Sequence, residues 1–208
     1  MSVYVQIGAG AGDEDPSTGF RDGFTEMVKD LPREDVSRVV LVEPNPLNIP
    51  ALTRSWSGYP QAEIHNLGIR PDAVEQSEIT FYYAPEDGPT FQVFSMNPGH
   101  VLAHYPDTEL RTEVVPCLTL TQFLSRVVGD DPIELLALDI EGIDAQVLLE
   151  TDWDGVNCRR LSFEHLHMGE ALKSVADRLN GAGFAYIGTG VDHNGYDMMF
   201  ARPASARR

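Results

Sequence analysis

Cysteine, lysine and long apolar runs are all scarce in this chain of 208 residues. Its two cysteines, Cys117 and Cys158, stand far apart and fit no metal-binding or redox spacing, so they read as reduced thiols of a cytoplasmic protein. No apolar stretch approaches the roughly 18 residues that a bilayer-spanning helix needs. The N-terminus enters MSVYVQIG with no basic leader, so neither secretion nor membrane insertion is expected. Positive charge is equally thin: 15 basic residues face 32 acidic ones, for a formal charge of −17. That field repels polyphosphate backbones and removes the electrostatic footing of most nucleic-acid binders. Cationic or neutral small ligands remain as partners, and oligomeric state is not legible.

What is present suits a folded protein. Hydrophobic residues make up 42% and charged residues 23%, a globular balance, and the length fits one α/β domain over 1–208. Periodicity predicts strands at 3–7, 38–42 and 62–67, the last ending at Gly68. Helices fall between them: one carries Phe20, Phe24, Met27, Val28 and Leu31, and the other spans about 47–56 with Pro50 in its first turn. From 77 to 116 the pattern changes. A strand at 79–83 and a turn at 85–89 precede an irregular aromatic stretch at 96–105, and the whole reads as an insertion or lid.

Regular alternation then resumes. Residues 117–128 read as a short strand running into a helix capped by Thr119 or Thr121. The almost unbroken apolar run at 133–140 reads as a central strand covered on both faces, with a helix at 144–150 behind it. A strand at 159–165 and a helix at 169–179 follow, and 184–187 with 196–202 closes the chain as a strand pair around Asn194-Gly195. The sum is an α/β, Rossmann-like, doubly wound and mostly parallel sheet of about seven strands with an antiparallel C-terminal strand. Ligands of such sheets sit over the C-terminal strand ends, at the topological switch point.

Two features occupy those ends early in the chain. Gly8-Ala9-Gly10-Ala11-Gly12-Asp13 follows the first strand, and alternate glycines let the backbone turn tightly and approach a ligand. Dinucleotide folds want G-x-G-x-x-G; here the last glycine comes one residue early and Asp13 stands in its place. A carboxylate there would repel a pyrophosphate and attract the ammonium of an amino-acid moiety. Glu43, ending the second strand, is placed to accept ribose hydroxyls. An ordinary βα turn and a surface carboxylate are the bland readings of the same residues.

These segments resemble those of FkbM-type class I S-adenosylmethionine-dependent methyltransferases. Residues 5–13 (Val-Gln-Ile-Gly-Ala-Gly-Ala-Gly-Asp) resemble the glycine motif of that family, and Val42-Glu43-Pro44-Asn45-Pro46 its second-strand motif. His65-Asn66-Leu67-Gly68-Ile69 resembles the turn that lies near the adenine. Thr119-Leu120-Thr121-Gln122-Phe123-Leu124 matches a T-L-D-x-hydrophobic segment with Thr121 in place of the acid. Leu138-Asp139-Ile140-Glu141-Gly142 matches the K-x-D-x-E-G strand end with Ala137 in place of lysine, and Gln6 replaces an acid often found before the first glycine. The resemblance covers nearly the whole chain. It implies S-adenosylmethionine as cofactor, held by Gly8, Gly10, Gly12, Asp13, Glu43, Asn66 and Leu67, and a small hydroxylated acceptor such as a sugar, glycolipid or secondary metabolite.

Methyl transfer to oxygen asks the protein to hold an acceptor in line, exclude water and remove a proton. Asp139 is the first candidate for base or orienter, with Glu164 and His165 of the next strand end beside it. Capping of a following helix is the bland reading of Asp139 and Glu141. Strand alternation places His165 and His167 on one face and Glu164 on the other. Asp139, Glu141, Glu164 and His165 are also weak candidate ligands of a divalent ion, although nothing has the rigid spacing of a zinc site and the main reading is that no metal is bound. His100, His104 and Tyr105 lie in the insertion as lid or packing residues, and His193 is assigned nothing. The competing readings are a catalytically inactive nucleoside-binding or scaffold protein of the same fold and a nicotinamide oxidoreductase.

Overall fold

Apolar runs become strands buried on both faces, and helices cover those faces in alternation. The computed structural model describes residues 2–13, 22–192 and 195–203. In chain order β1 (Ser2–Ile7), α1 (Gly23–Lys29), β2 (Val36–Val42), α2 (Ile49–Ser55) and β3 (Ala62–His65) alternate as expected. The inserted region follows with β4 (Gly68–Arg70), β5 (Glu78–Tyr83), β6 (Phe94–Ser95), α3 (Pro98–His104) and β7 (Arg111–Thr119). Then come α4 (Leu120–Phe123), which runs on as a π-turn at Leu124–Val128, β8 (Ile133–Leu138), α5 (Asp144–Glu150), β9 (Cys158–Glu164), α6 (Ala171–Gly181), β10 (Ala185–Thr189) and β11 (Asp197–Ala201).

Seven of these strands form one sheet in the order β10-β11-β9-β8-β1-β2-β3. Every adjacent pair is parallel except those made by β11, which runs antiparallel to both β9 and β10. The order reverses between β1 and β8, whose tips meet in register at Ile7 and Leu138. Side-chain alternation divides the core in two. Val3, Val5, Ile7, Val40, Val42, Leu136 and Leu138 pack beneath Phe123, Val147, Leu148, Val175 and Leu179. Tyr4, Val39, Leu41 and Leu135 pack on the other face against Phe24, Val28, Leu52 and Trp56. Each such fully buried aliphatic or aromatic side chain contributes about 1.5–3 kcal/mol, which makes the strand tips a rigid platform. Among the described residues no helix is long and apolar enough to cross a membrane.

Three sequence expectations change. The third strand stops at His65, and Gly68 opens a strand of a second, four-stranded sheet in the order β4-β7-β5-β6. A Cβ at Gly68 would lie 2.7 Å from Cys117 Sγ and 2.9 Å from the Phe81 ring, so glycine is what admits this crossing. The stretch at 96–105 is ordered around α3: Asn97 accepts a hydrogen bond from the Gly99 amide at 3.0 Å and Pro98 takes the first turn, where its missing N–H costs nothing. The strand expected to begin at 117 already spans Arg111–Thr119, and Thr119, not Thr121, caps α4 through a reciprocal box with Gln122. Phe20, Asn194 and His193 lie outside the described residues.

Candidate active site

The glycine turn sits at the switch point because nothing larger fits there. Gly8 adopts φ +80°, and a Cβ on it would fall 1.7 Å from the Asp139 carbonyl oxygen, so the tips of β1 and β8 close only over a glycine. The amides of Gly8 and Ala9 both donate to the Val42 carbonyl, at 2.9 Å each, and tie the turn to the end of β2. Gly10 is also left-handed at φ +52°, but no atom lies within 4 Å of where its Cβ would stand. Its open side faces a cleft of about 1090 Å³, a volume that includes the mouth.

Glu43 closes one wall. One carboxylate oxygen accepts from the Gly10 amide at 2.8 Å, and the other from the Asn45 amide at 2.8 Å and the Asn48 side chain at 3.3 Å. Burial pushes its pKa up to about 7 against the pull of those donors. A carboxylate has about four lone-pair sites, so acceptor capacity remains. Gln6 Nε2 donates at 2.7 Å to Asp22, which caps α1 through the Thr25 amide and is itself raised by burial to about 6. Gln6 Oε1 is buried with no partner among the described residues.

The opposite wall is the more acidic, with Asp139, Glu141 and Asp197 in the lining. Asp139 follows β8, its amide bonded to the Ile7 carbonyl at 3.0 Å, and its Oδ1 is buried without a partner among the described residues. Burial, then repulsion from Glu141, Asp144, Glu164 and Asp197, holds its carboxyl well above the ordinary range. Glu141 adopts φ +52°, the one non-glycine residue described with a positive φ, next to Gly142 at +89°. The insertion pins that turn: Ser95 Oγ donates to the Glu141 carbonyl at 2.7 Å, and His100 Nε2 lies 2.9 Å from its carboxylate. Burial raises Glu141 to about 8, Asp144 to about 7 and Asp197 to about 7. Asp144 accepts from the Ile140 amide at 3.0 Å, and Asp197 from Ser162 Oγ at 3.1 Å.

Among the described residues six carboxylates line the cleft, those of Asp22, Glu43, Asp139, Glu141, Asp192 and Asp197, and no lysine, arginine or histidine does. Gly8, Gly10, Gly12, Glu43, Asp139 and Glu141 therefore come together as the sequence suggests. Asp13 does not: it is paired with Lys29 at 2.8 Å and bonded to Ser55, which turns it away from the cleft. Asn66 is exposed and donates to the Glu43 and Pro44 carbonyls at 2.9 and 3.1 Å, while Leu67 packs on the core, so both shape the turn from outside the cleft.

Glu164 is held near the acidic group, raised to about 7 by burial and then by Glu141 and Asp144, but it does not line the cleft. His165 does not line it either: β9 ends at Glu164 and the chain turns at once, the His165 carbonyl accepting from Met168 at 3.1 Å. Alternation across 163–167 therefore fails, and His167 is carried to His100 and His104. Asp139, Glu141, Glu164 and His165 are not gathered as metal ligands. Among the described residues the group whose donor atoms come together is His100, His104 and His167. The sequence signal for two of them was the four-residue spacing of His100 and His104, hidden by reading 96–105 as irregular. Asn48, and Thr90, Phe91 and Gln92 of the inserted region, also line the cleft, and no local motif marks them.

Two of the three departures from the family pattern are neighbours: Gln6 and Ala137 are register partners across β1 and β8. Where an acid and a lysine would face each other, a neutral pair stands, so both charges of the usual arrangement are missing together.

Six parallel strands and one antiparallel strand, with a glycine turn and a buried glutamate flanking the reversal of strand order, define a Rossmann-like fold of the class I methyltransferase type. The methyltransferase FkbM domain matches residues 6–186, and the chain belongs to that family. Solved structures similar to it include the methyltransferase FkbM from Methylobacillus flagellatus KT, with TM-score 0.47 at 14% identity over 96% of this chain and 43% of that one. Another is Aeropyrum pernix fibrillarin in complex with natively bound S-adenosyl-L-methionine, with TM-score 0.44 at 11% identity over 96% of this chain and 64% of that one. The chain spans less than two thirds of the length of either protein.

Proposed function

We propose that the cleft binds S-adenosylmethionine and that the protein transfers its methyl group to a hydroxyl of a small acceptor such as a sugar, glycolipid or secondary metabolite. The observation that carries the reading is the one-sided chemistry of the lining: six carboxyl groups and no basic side chain among the described residues. A pyrophosphate would meet only repulsion there, which disfavours a nicotinamide dinucleotide. A nucleoside bearing a sulfonium and an ammonium meets attraction. The residues fit that cofactor on three counts. Gly10 leaves bare main chain toward the cleft, Gln6 Oε1 and Asp139 Oδ1 are buried acceptors without partners among the described residues, and Glu43 has acceptor capacity for a ribose.

The cofactor brings a methyl group already activated on a positive sulfur. The protein's share is position, dryness and a proton acceptor. Asp139 is the base of this proposal: its raised pKa makes it a stronger base than an ordinary carboxylate, and Gly8 packs directly against its backbone. Glu141 is held by the insertion and orients the acceptor from the lid side. Phe81, Phe91 and Phe94 of the inserted region line the same cleft and exclude water from it. Oxygen as the accepting atom is supported by the family resemblance, and a base such as Asp139 is compatible with it.

Calorimetric titration with S-adenosylhomocysteine tests the reading. One site per chain in the micromolar range is expected, with no response to NADH. No heat at high micromolar ligand overturns it. Tight binding without transfer across a panel of hydroxylated acceptors would leave a binding protein of the same fold.

A further inference from the structure

Beside the cleft, outside its lining, three histidines from two distant segments converge. His100 and His104 stand one turn apart on α3, so they share a helix face. His167 comes from the turn between β9 and α6, which is anchored by the buried Met168. The ring centroids lie 5.0 Å apart for His100 and His104, 4.8 Å for His100 and His167, and 5.6 Å for His104 and His167. One ring nitrogen from each lies within 4.8 Å of one from each of the others. We propose that His100, His104 and His167 form a binding site for a divalent transition-metal cation of the zinc type, which clasps the inserted segment to the β9–α6 turn.

The chemistry suits such an ion. Imidazole is a preferred ligand of zinc, copper and nickel, and two histidines four apart on a helix form a natural chelate. A tetrahedral ion with bonds of about 2.0–2.1 Å requires donors roughly 3.3 Å apart. The observed spacing therefore closes by small rotations, and His104 and His167 are exposed and free to make them. Glu141 lies 2.9 Å from His100 Nε2, so an ion on His100 Nδ1 would keep Glu141 as the outer partner that metal-bound histidines usually carry. Burial lowers all three histidine pKa values, the direction that favours the neutral, coordinating ring. Glu164, Asp144 and Asp87 contribute negative potential around them. Three protein ligands leave a position open on the solvent side. Because Glu141 both lines the cleft and holds His100, the ion would fix the lid from outside the cofactor region. The site stands on its own geometry and does not depend on the methyl-transfer reading.

The test uses the full chain without a histidine tag, stripped with chelator, dialysed and titrated with Zn²⁺ against a chromophoric competitor. One equivalent per chain at low-micromolar affinity or tighter is expected, and Co²⁺ in its place should give visible absorption of a tetrahedral or five-coordinate site. His104→Gln and His167→Gln should each weaken binding by about tenfold or more. Both side chains are exposed, so circular dichroism and the metal-free melting temperature should not change. Failure to bind a stoichiometric ion, or binding undiminished in both variants, overturns the proposal. S-adenosylhomocysteine titrated into the same samples separates the two readings, since its loss would strike the cofactor assignment and leave the metal result intact.

Discussion

The two walls of the cleft are built from the same residue type and treat it in opposite ways. On the side of β1 and β2, carboxylates are engaged: Glu43 accepts from three donors and Asp22 from two, while Asp13, outside the lining, is tied to Lys29. On the side of β8, β9 and β11, burial raises the pKa values of Asp139, Glu141, Asp144, Glu164 and Asp197, repulsion within the group adds to all of them except Glu141, and Asp139 has an oxygen with no partner among the described residues. Carboxylates held by several donors keep a shape fixed before a ligand arrives, whereas crowded acids either keep protons or attract a cation. The first wall is a template and the second is an electrostatic trap.

The comparison breaks most sharply at Asp139. Asp139→Asn removes the proton acceptor with almost no change of shape, and should lower turnover by about 10³-fold, within the usual range for loss of a general base. Affinity for S-adenosylhomocysteine, measured by calorimetry, should stay within a few-fold. In the unmodified protein kcat/KM should rise with pH on its acid limb, since only the ionised carboxyl accepts a proton, with a midpoint well above an ordinary carboxylate. Gly8→Ala attacks the joint between the walls. With a Cβ 1.7 Å from the Asp139 carbonyl and φ at +80°, it should cost about 3 kcal/mol or prevent folding, as judged by urea denaturation.

A gentler probe is pH. Glu43, Asp144, Glu164 and Asp197 sit near 7 and Glu141 near 8 in the folded protein, above the values of about 4 that carboxyls have when unfolded. The folded state therefore binds more protons through this window. The stabilisation is complete below the unfolded values and is lost as pH rises through 7 to 8. The melting temperature of the ligand-free protein should fall by roughly 5 °C or more between pH 5.5 and 8.5, and bound cofactor should blunt the fall. The smallest effect lies outside the cleft lining, next to the first wall. Asp13→Asn should cost under about 1 kcal/mol, as a partly exposed ion pair does, and leave cofactor affinity unchanged, because Asp13 points to Lys29 and Ser55.

What the sequence made legible follows from how local each signal is. The central strands showed as apolar runs because both faces are covered, and the Asp139-x-Glu141-Gly142 end was readable because carboxylates at a buried strand tip demand a reason. The glycine turn was legible too, although the reason for Gly8, its contact with Asp139, comes from a residue far along the chain. Asp13 was misplaced because sequence spacing gives no hint of the Lys29 that claims it. His165 was misplaced because alternation was carried one turn past the end of β9. Helix α3 was missed when 96–105 was read as irregular, although Asn97-Pro98 is a helix start. With α3 went the convergence of His100 and His104 on His167. The second sheet could not be read either, since it depends on Gly68 meeting Cys117 and Phe81 across the insertion.

The most direct test of the cationic trap is the proton count on binding. Calorimetry of S-adenosylmethionine at pH 7, in two buffers of different ionisation enthalpy, reports the protons released per ligand bound. The account predicts release of about one proton, and less for S-adenosylhomocysteine, which lacks the positive sulfur. Binding of the two ligands with equal proton release, or with none, would contradict it.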